Sequence, residues 1–426
     1  MFDDFKTFWI LNCSFTFFVL RFEFMKIAIV TTGDEIMSGN VVDTNSAWIA
    51  DKCWMMGHEV VWHGGVGDYA GAIGEACKSA AKMADVVFVT GGLGATLDDI
   101  TLESAAKAFG KKMVLHDDIW RGIQDFFKKV GRECAKNNKR QAYLPEGGRA
   151  LANNVGTAPG VQVKLGCAIF FFLPGVPKEM YQIFNDSILP WLGGRSQGQI
   201  YSQKFLRCFG MPEASLDEKL KGLNFGSVRV SFRVTFPETK IKLVSHEGEK
   251  SLLEAERKIR KKLGDYIFGV DEETLAVVVS NLLKNKGFSI AVAESCTGGL
   301  ISHLLTNVPG ASQWFERGIV CYSNKSKVDI LKVRETTIKK FGAVSEESAR
   351  EMADGVRRRA CADFGLAVTG IAGPSGGTSS KPVGIVHIAL ASAKKTRQVS
   401  YCHPREREAF KLLVAYEALD LVRRHI

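Results

Sequence analysis

Four segments in the last third of the chain carry residue types able to do chemistry. The first, Ala293-Glu294-Ser295-Cys296-Thr297-Gly298-Gly299, joins an apolar strand pattern to a helix beginning near Leu300. Such a turn can present a serine hydroxyl, and Thr297, Gly298 and Gly299 would expose backbone N–H groups at a helix start, where negative charge is stabilised. The same residues also suit a plain helix cap and turn. Cys296 is the rival nucleophile beside Ser295. The second segment, Tyr322-Ser323-Asn324-Lys325-Ser326-Lys327, follows the next strand. A nucleophilic serine needs a base, and His303, His387, His403 and His425 fall in no comparable loop. A lysine with a pKa lowered by burial can serve instead. Lys325 and Lys327 both qualify, unless they are solvated surface lysines. The third segment, Thr369 to Thr378, holds Gly370, Gly373, Gly376 and Gly377, which allow close backbone approach to a phosphate or oxyanion. Arg405 and Arg407, at the start of the last helical pattern, could reach an anionic group.

A second set lies near the N-terminus. Gly33, Asp34 and Glu35 follow the first apolar strand, and Asp43-Thr44-Asn45-Ser46 caps the next helix. Gly91, Gly92, Gly94 and Thr96 follow a later strand and run into Asp98 and Asp99. Asn154, Gly156 and Thr157 form another polar loop. Glycine loops after strands can cradle phosphates, and paired carboxylates can hold a hard cation beside them. Aspartates at a helix start serve equally well as caps.

Both sets need strands to hold them. From residue 25 to about 192, short apolar runs alternate with amphipathic helices, including strands over 27–31, 86–90 and 168–173. The same alternation returns from about 272 to 426, with strands over 289–293, 364–369 and 384–391 and a closing helix over 405–424. This predicts two α/β domains with mainly parallel sheets covered on both faces. Gly193 to Gly198 reads as a linker. Residues 200–270 read as a small α+β module with paired strands and one amphipathic helix.

The chain has 426 residues, 46% hydrophobic and 24% charged, with a formal net charge of +10. That composition excludes wholesale disorder. The basic residues are scattered; Arg357-Arg358-Arg359 lies in a helical pattern, so nucleic acid is not an expected partner. Ten cysteines without C-x-x-C spacing fit free thiols in a reducing cytoplasm. Residues 1–24 are apolar but interrupted by Asn12, Ser14 and Thr16. They are too short to span a bilayer and lack a signal peptide's basic start. They are read as an upstream extension before Met25, and no membrane association is expected.

The motifs AESCTGG, YSNKSK, GAVSEESAREMA and AVTGIAGPSGGTSSKPVG together resemble the CinA C-terminal domain, over about residues 272–426. The resemblance implies a nicotinamide mononucleotide deamidase that needs no cofactor, with Ser295 as nucleophile and a Tyr322–Lys327 pair; Lys325 falls at a variable position. GDEIMSGNVVDTNSAWIA, TGGLGATLDD, NNVGTAPG and LPGVPKEM resemble the molybdopterin-binding-like domain of the same family. They imply a divalent-metal-dependent ADP-ribose pyrophosphatase, a KH-like middle module and a homodimer. No GXXG loop occurs in 200–270, so RNA binding is not inferred. The chain departs from the family at Ala95, commonly proline, at Ser380, usually glutamate, and at His403-Pro404-Arg405, usually GDR. The alternatives are a pterin-binding sensor or a competence accessory protein without catalysis.

Overall fold

The computed structural model describes residues 25–195 and 201–426. The expected extension over 1–24 and the Ser196–Gly198 part of the linker lie outside them. The chain divides into two compact units between Tyr201 and Ser202.

The first unit contains β1 (Lys26–Thr32), β2 (Glu59–Val66), β3 (Val86–Thr90), β4 (Met113–Leu115), β5 (Tyr143–Pro145), β6 (Arg149–Leu151), β7 (Gly160–Leu165) and β8 (Ala168–Leu173). Six strands form one sheet in the order β2-β1-β3-β8-β7-β6, and β4 and β5 pair separately. The pairings from β2 to β8 are parallel; those of β7 with β8 and β6 are antiparallel. Alternation along each strand separates two cores. Ala28 and Val30 join Val87 and Val89 under helix Ala70–Met83. Ile27 and Ile29 join Val86 and Phe88 on the other face, with Ile49 of helix Thr44–Met55. Because both faces are covered, the strands read as continuous apolar runs.

The second unit begins with β9 (Ser202–Cys208), β10 (Arg229–Thr235), β11 (Glu238–Ser245) and β12 (Ile267–Val270), in an antiparallel sheet ordered β10-β11-β9-β12. Helices Glu213–Leu220 and Glu249–Leu263 complete a βαββαβ unit, the split-βαβ, ferredoxin-like arrangement. The expected α+β module is thus present, with two interleaved βαβ crossovers that place β9 and β11 side by side. The module is not a free spacer. Phe209 and Phe268 are buried in the same core as Val292, Leu366 and Phe410.

That core lies on one face of a third sheet, ordered β14-β13-β15-β16-β17, from β13 (Ile290–Glu294), β14 (Phe315–Val320), β15 (Phe364–Gly370), β16 (Ile385–Ala391) and β17 (Thr396–Cys402). Its β14-β13-β15 half is parallel and its β15-β16-β17 half antiparallel, so the sheet is mixed where a mainly parallel one was expected. The antiparallel edge β17 is half-exposed and polar, and carries little apolar signal. Ile290 and Val292 face helices Leu275–Lys286 and Arg407–His425. Ala291 and Ala293 face helix Glu346–Ala360 on the other side, joined there by Ala367 and Ala389. Ser345 caps that helix by accepting from Ser348 N. Arg357 and Arg358 of its last turn pair with Asp354, which suits the helix dipole.

Candidate active site

The parallel half of the third sheet presents its carboxyl ends to one place, where ligands bind in open α/β sheets. Ser295 follows β13 directly, its N–H donating to Val368 O of β15 at 3.1 Å. Its hydroxyl is 3.0 Å from Lys327 Nζ. Lys327 stands on helix Asn324–Leu331, which Ser323 caps by accepting from Ser326 N. Helical side chains lean toward the N-terminus, and this lean carries the Lys327 amine back to the end of the preceding strand. There it donates to Cys321 O at 2.8 Å and Tyr322 O at 3.1 Å. Lys325, two residues away, points elsewhere on the helix and is exposed.

Lys327 is 1% exposed. Burial holds its amine below the ordinary lysine pKa. Thiolates at Cys321 and Cys296 would oppose this shift, but burial pushes both thiols up, Cys296 to about 12. Near pH 7 both are neutral. A neutral lysine has two N–H bonds and one lone pair. The two carbonyls accept the N–H bonds, so the lone pair faces Ser295 Oγ. As an ammonium, the same amine donates three hydrogen bonds. Both protonation states fit without rearrangement.

The other expected residues are distributed less simply. The helix start after Ser295 is not open to an anion. Glu294, fully buried, accepts from Gly299 N, Ile301 N and both Ser302 N and Oγ, at 2.7–3.1 Å. Gly298 N turns back to Ser295 O. Thr297 is buried, and its Oγ1 has no partner among the described residues. Tyr322 touches Lys327 through its carbonyl only; its hydroxyl, exposed, accepts from Arg407 NH2 at 3.0 Å. Arg407 also donates to Gly373 O at 3.0 Å, so it ties the tyrosine loop to the glycine loop. Gly370 continues β15, where a Cβ would run into Ile385 O. Gly376 and Gly377 lie on the exposed stretch beyond it, with Ser380. Arg405 is elsewhere, over the Phe236 ring at 5.2 Å. Sequence reasoning missed Glu294, although it stands next to Ser295.

The first unit has its own cavity at the carboxyl ends of β1 and β3, about 520 Å³. Glu35, Gly91, Gly92, Gly94, Asp99 and Thr157 of the expected set line it. Gly33, Asp34, Thr96, Asp98, Asn154 and Gly156 do not. Gly92 takes a positive φ against Thr101, where a side chain would clash. Thr96 donates to Asp99 through N and Oγ1, while Asp98 is exposed. Three lining residues stand inside quoted motifs but were read as caps or passed over: Asp43, Asn45 and Glu179. Burial works to raise the Asp43 carboxyl, but hydrogen bonds from Ser46 and Thr31, with His63 near, hold it below the ordinary range. Asn45 is buried; its Nδ2 donates to Gly175 O and Thr90 Oγ1, leaving Oδ1 without a partner among the described residues.

The lining therefore combines four carboxylates, Glu35, Asp43, Asp99 and Glu179, with no lysine or arginine. These hard oxygen donors suit a divalent cation. Among the described residues no three acidic, histidine or cysteine side chains are gathered closely enough to cage one. No helix there is long and apolar enough to cross a membrane.

Both sites fall within stretches that match known families. Residues 272–426 match the CinA C-terminal domain, and residues 28–194 match the "Probable molybdopterin binding domain". A CinA-like protein of Kosmotoga olearia is 41% identical over 407 residues, covering 94% of this chain and 98% of that protein. Another, of Dictyoglomus turgidum, is 40% identical over 407 residues, covering 94% and 99%. Among solved structures, the competence/damage inducible protein CihA of Agrobacterium tumefaciens is 40% identical, with a TM-score of 0.34, covering 34% of this chain and 90% of that one. With both domain models matched in order and full-length relatives at 40% identity, the chain belongs to the CinA family.

Proposed function

We propose that the C-terminal domain is a nicotinamide mononucleotide amidohydrolase, releasing ammonia and nicotinate mononucleotide. The observation that carries this reading is the buried Lys327 amine 3.0 Å from Ser295 Oγ. Ser295 Oγ attacks the carboxamide carbon while its proton passes to Lys327 Nζ. Collapse of the tetrahedral adduct breaks the C–N bond, and Lys327 returns the proton to the departing nitrogen as ammonia. Water then attacks the acyl-enzyme, again giving its proton to Lys327, which restores it to Ser295 Oγ. The turn amides at Cys296 and Thr297, which Glu294 does not take, are the proposed oxyanion donors. Arg407, which ties Tyr322 to Gly373 O, is the proposed cation for the substrate phosphate, in the place first assigned to Arg405. The chemistry needs no cofactor. The test is ammonia release from nicotinamide mononucleotide by wild type and Ser295→Ala.

A second reading concerns the first unit. The lining of this cavity holds four carboxylates and no lysine or arginine, with Arg140 on the adjoining side of the glycine loop bonded to Thr96 O and Asp99 O; this supports a substrate taken with a divalent cation, as ADP-ribose would be. Because these carboxylates are not gathered into a cage, the cation would arrive on the substrate phosphates, and Glu35, Asp43, Asp99 and Asn45 Oδ1 are the lining groups proposed to meet it. The cation would supply charge neutralisation on the phosphates, while the glycine loop at Gly91 to Gly94 approaches them by backbone. The exposed Asp98 is a poorer candidate than Asp99. Product formation from ADP-ribose with and without chelator tests this. The nine described cysteines are all free, which supports a reducing cytoplasmic setting. A homodimer remains part of this proposal, tested by sedimentation.

A further inference from the structure

Within the second unit, a cleft of about 740 Å³ opens between the ferredoxin-like module and the C-terminal domain. None of Ser295, Lys327, Tyr322 or Arg407 lines it. One wall is Phe236 and Pro237 at the β10–β11 turn. The facing wall is Tyr401 and His403 of β17 and the segment after it. Helix Arg407–His425 forms the floor and contributes Glu417.

Glu417 is the anomaly. Its side chain is only 9% exposed. Oε1 lies 2.7 Å from His403 Nε2, and among the described residues Oε2 is buried with no partner. An orphaned buried carboxyl oxygen is costly, and a native fold that keeps one calls for an explanation. The surrounding charges do not answer it. Asp420 takes Arg423 and Arg424. Glu238 takes Arg207 in a buried two-pronged pair. Arg405 lies over Phe236 at the rim. His403 is no counter-ion, since burial and then Arg405 hold its imidazole below the ordinary histidine range. Glu213 adds a further carboxylate to the lining, and His425 lines the far end.

We propose that this cleft is a second small-molecule site, taking an aromatic organic cation of the amidinium or ammonium class. Its N–H groups would meet Glu417 Oε2, and its apolar ring would pack in the cleft that Phe236 and Tyr401 line. His403-Pro404, where the chain departs from the family pattern, supplies the imidazole that orients Glu417. The departure therefore bears on this cleft and not on Ser295. Burial, and then the nearby Asp420, push the Glu417 carboxyl up to about 8. Near pH 7 the empty cleft holds it protonated, and an arriving cation displaces that proton to the buffer.

The test uses the full chain, with benzamidine as probe and benzamide as its neutral isostere. Calorimetry near pH 7, in two buffers of different ionisation enthalpy, reads affinity and proton release together. Benzamidine is expected to bind at least about tenfold tighter than benzamide, the equivalent of one charge-assisted hydrogen bond. It should release a proton from the Glu417 carboxyl, which burial pushes up to about 8. Glu417→Gln should lower affinity at least about tenfold and abolish the release, while Ser295→Ala leaves both unchanged. Phe236→Ala, at the exposed rim, should weaken benzamidine severalfold and retain the release, which keeps the test open if Glu417→Gln does not fold. Equal binding of benzamide, absence of proton release, or no binding up to about 10 mM would overturn the proposal.

Discussion

The two candidate sites both stand at the carboxyl ends of parallel strands, but they are finished differently. At Ser295 every polar contact the chemistry needs is supplied from within: the lysine is desolvated, its N–H bonds are placed on two carbonyls, and the adjacent helix start is closed by Glu294. In the first unit the cavity is lined by carboxylates without a cation and keeps an unsatisfied Asn45 Oδ1. The first arrangement supplies its own base; on the proposed reading, the second takes its substrate together with a cation. A chelator and a pH titration should therefore act on opposite units.

The largest expected effect comes from removing the base. Lys327→Met should lower amidase kcat/KM by about 10²- to 10⁴-fold, the usual worth of general base catalysis, with Lys325→Met near wild type. In the wild type, kcat/KM should rise with pH and level off above the lowered Lys327 pKa, which burial holds below the ordinary lysine value. The linkage sign is the same for stability. Between that lowered value and the ordinary one the unfolded chain binds the extra proton, so stability from this group rises with pH through the window and the burial cost is full below it. An amidase profile flat through neutral and mildly alkaline pH, with Lys327→Met active, would remove the contrast.

Chelation is the converse. Stripping divalent cations should abolish ADP-ribose cleavage and leave ammonia release unchanged. Asp99→Asn should lower cleavage by about tenfold or more, for loss of one charged ligand, and Asp98→Asn by less than about twofold. Metal-independent cleavage would show that the carboxylates serve some other end.

Truncation gives a smaller effect. A chain starting at Asp271 loses Phe209 and Phe268 from the C-terminal core. It should unfold about 3–5 kcal/mol more easily than one starting at Ser202, the cost of deleting a large core side chain. Denaturant midpoints of the two fragments decide this; equal midpoints would restore the module to the standing of a spacer. Smallest is the choice between arginines. Arg407→Ala should raise KM for nicotinamide mononucleotide about tenfold, whereas Arg405→Ala should change it less than about twofold.

The strands that hold both sites were legible because each is buried on two faces and reads as an unbroken apolar run, as in Val86–Thr90 and Ile290–Glu294. Several strands were missed, the largely buried β7 among them; two others are marginal. β17 is a polar, half-exposed edge, and β9 begins as an intermediate surface before it enters the core. Spacing could not separate Lys325 from Lys327; the resemblance did, and burial of the second explains it physically. Glu294 was passed over because a carboxylate ending a strand looks like a boundary, and its reach to three amides exists only once the turn has folded. Asn45 likewise read as part of a helix cap. That one amide side should be satisfied and the other orphaned depends on Gly175 and Thr90, which are remote in sequence.

The most direct measurement is ammonia released from nicotinamide mononucleotide by the full chain, in the presence of chelator, compared across wild type, Ser295→Ala and Cys296→Ala. The account predicts stoichiometric ammonia and nicotinate mononucleotide from wild type and from Cys296→Ala, whose thiol is buried and pushed up to about 12. It predicts a loss of about 10⁴-fold or more for Ser295→Ala, on the scale of deleting a catalytic nucleophile. No release by wild type, or release that survives in Ser295→Ala and disappears in Cys296→Ala, would contradict it.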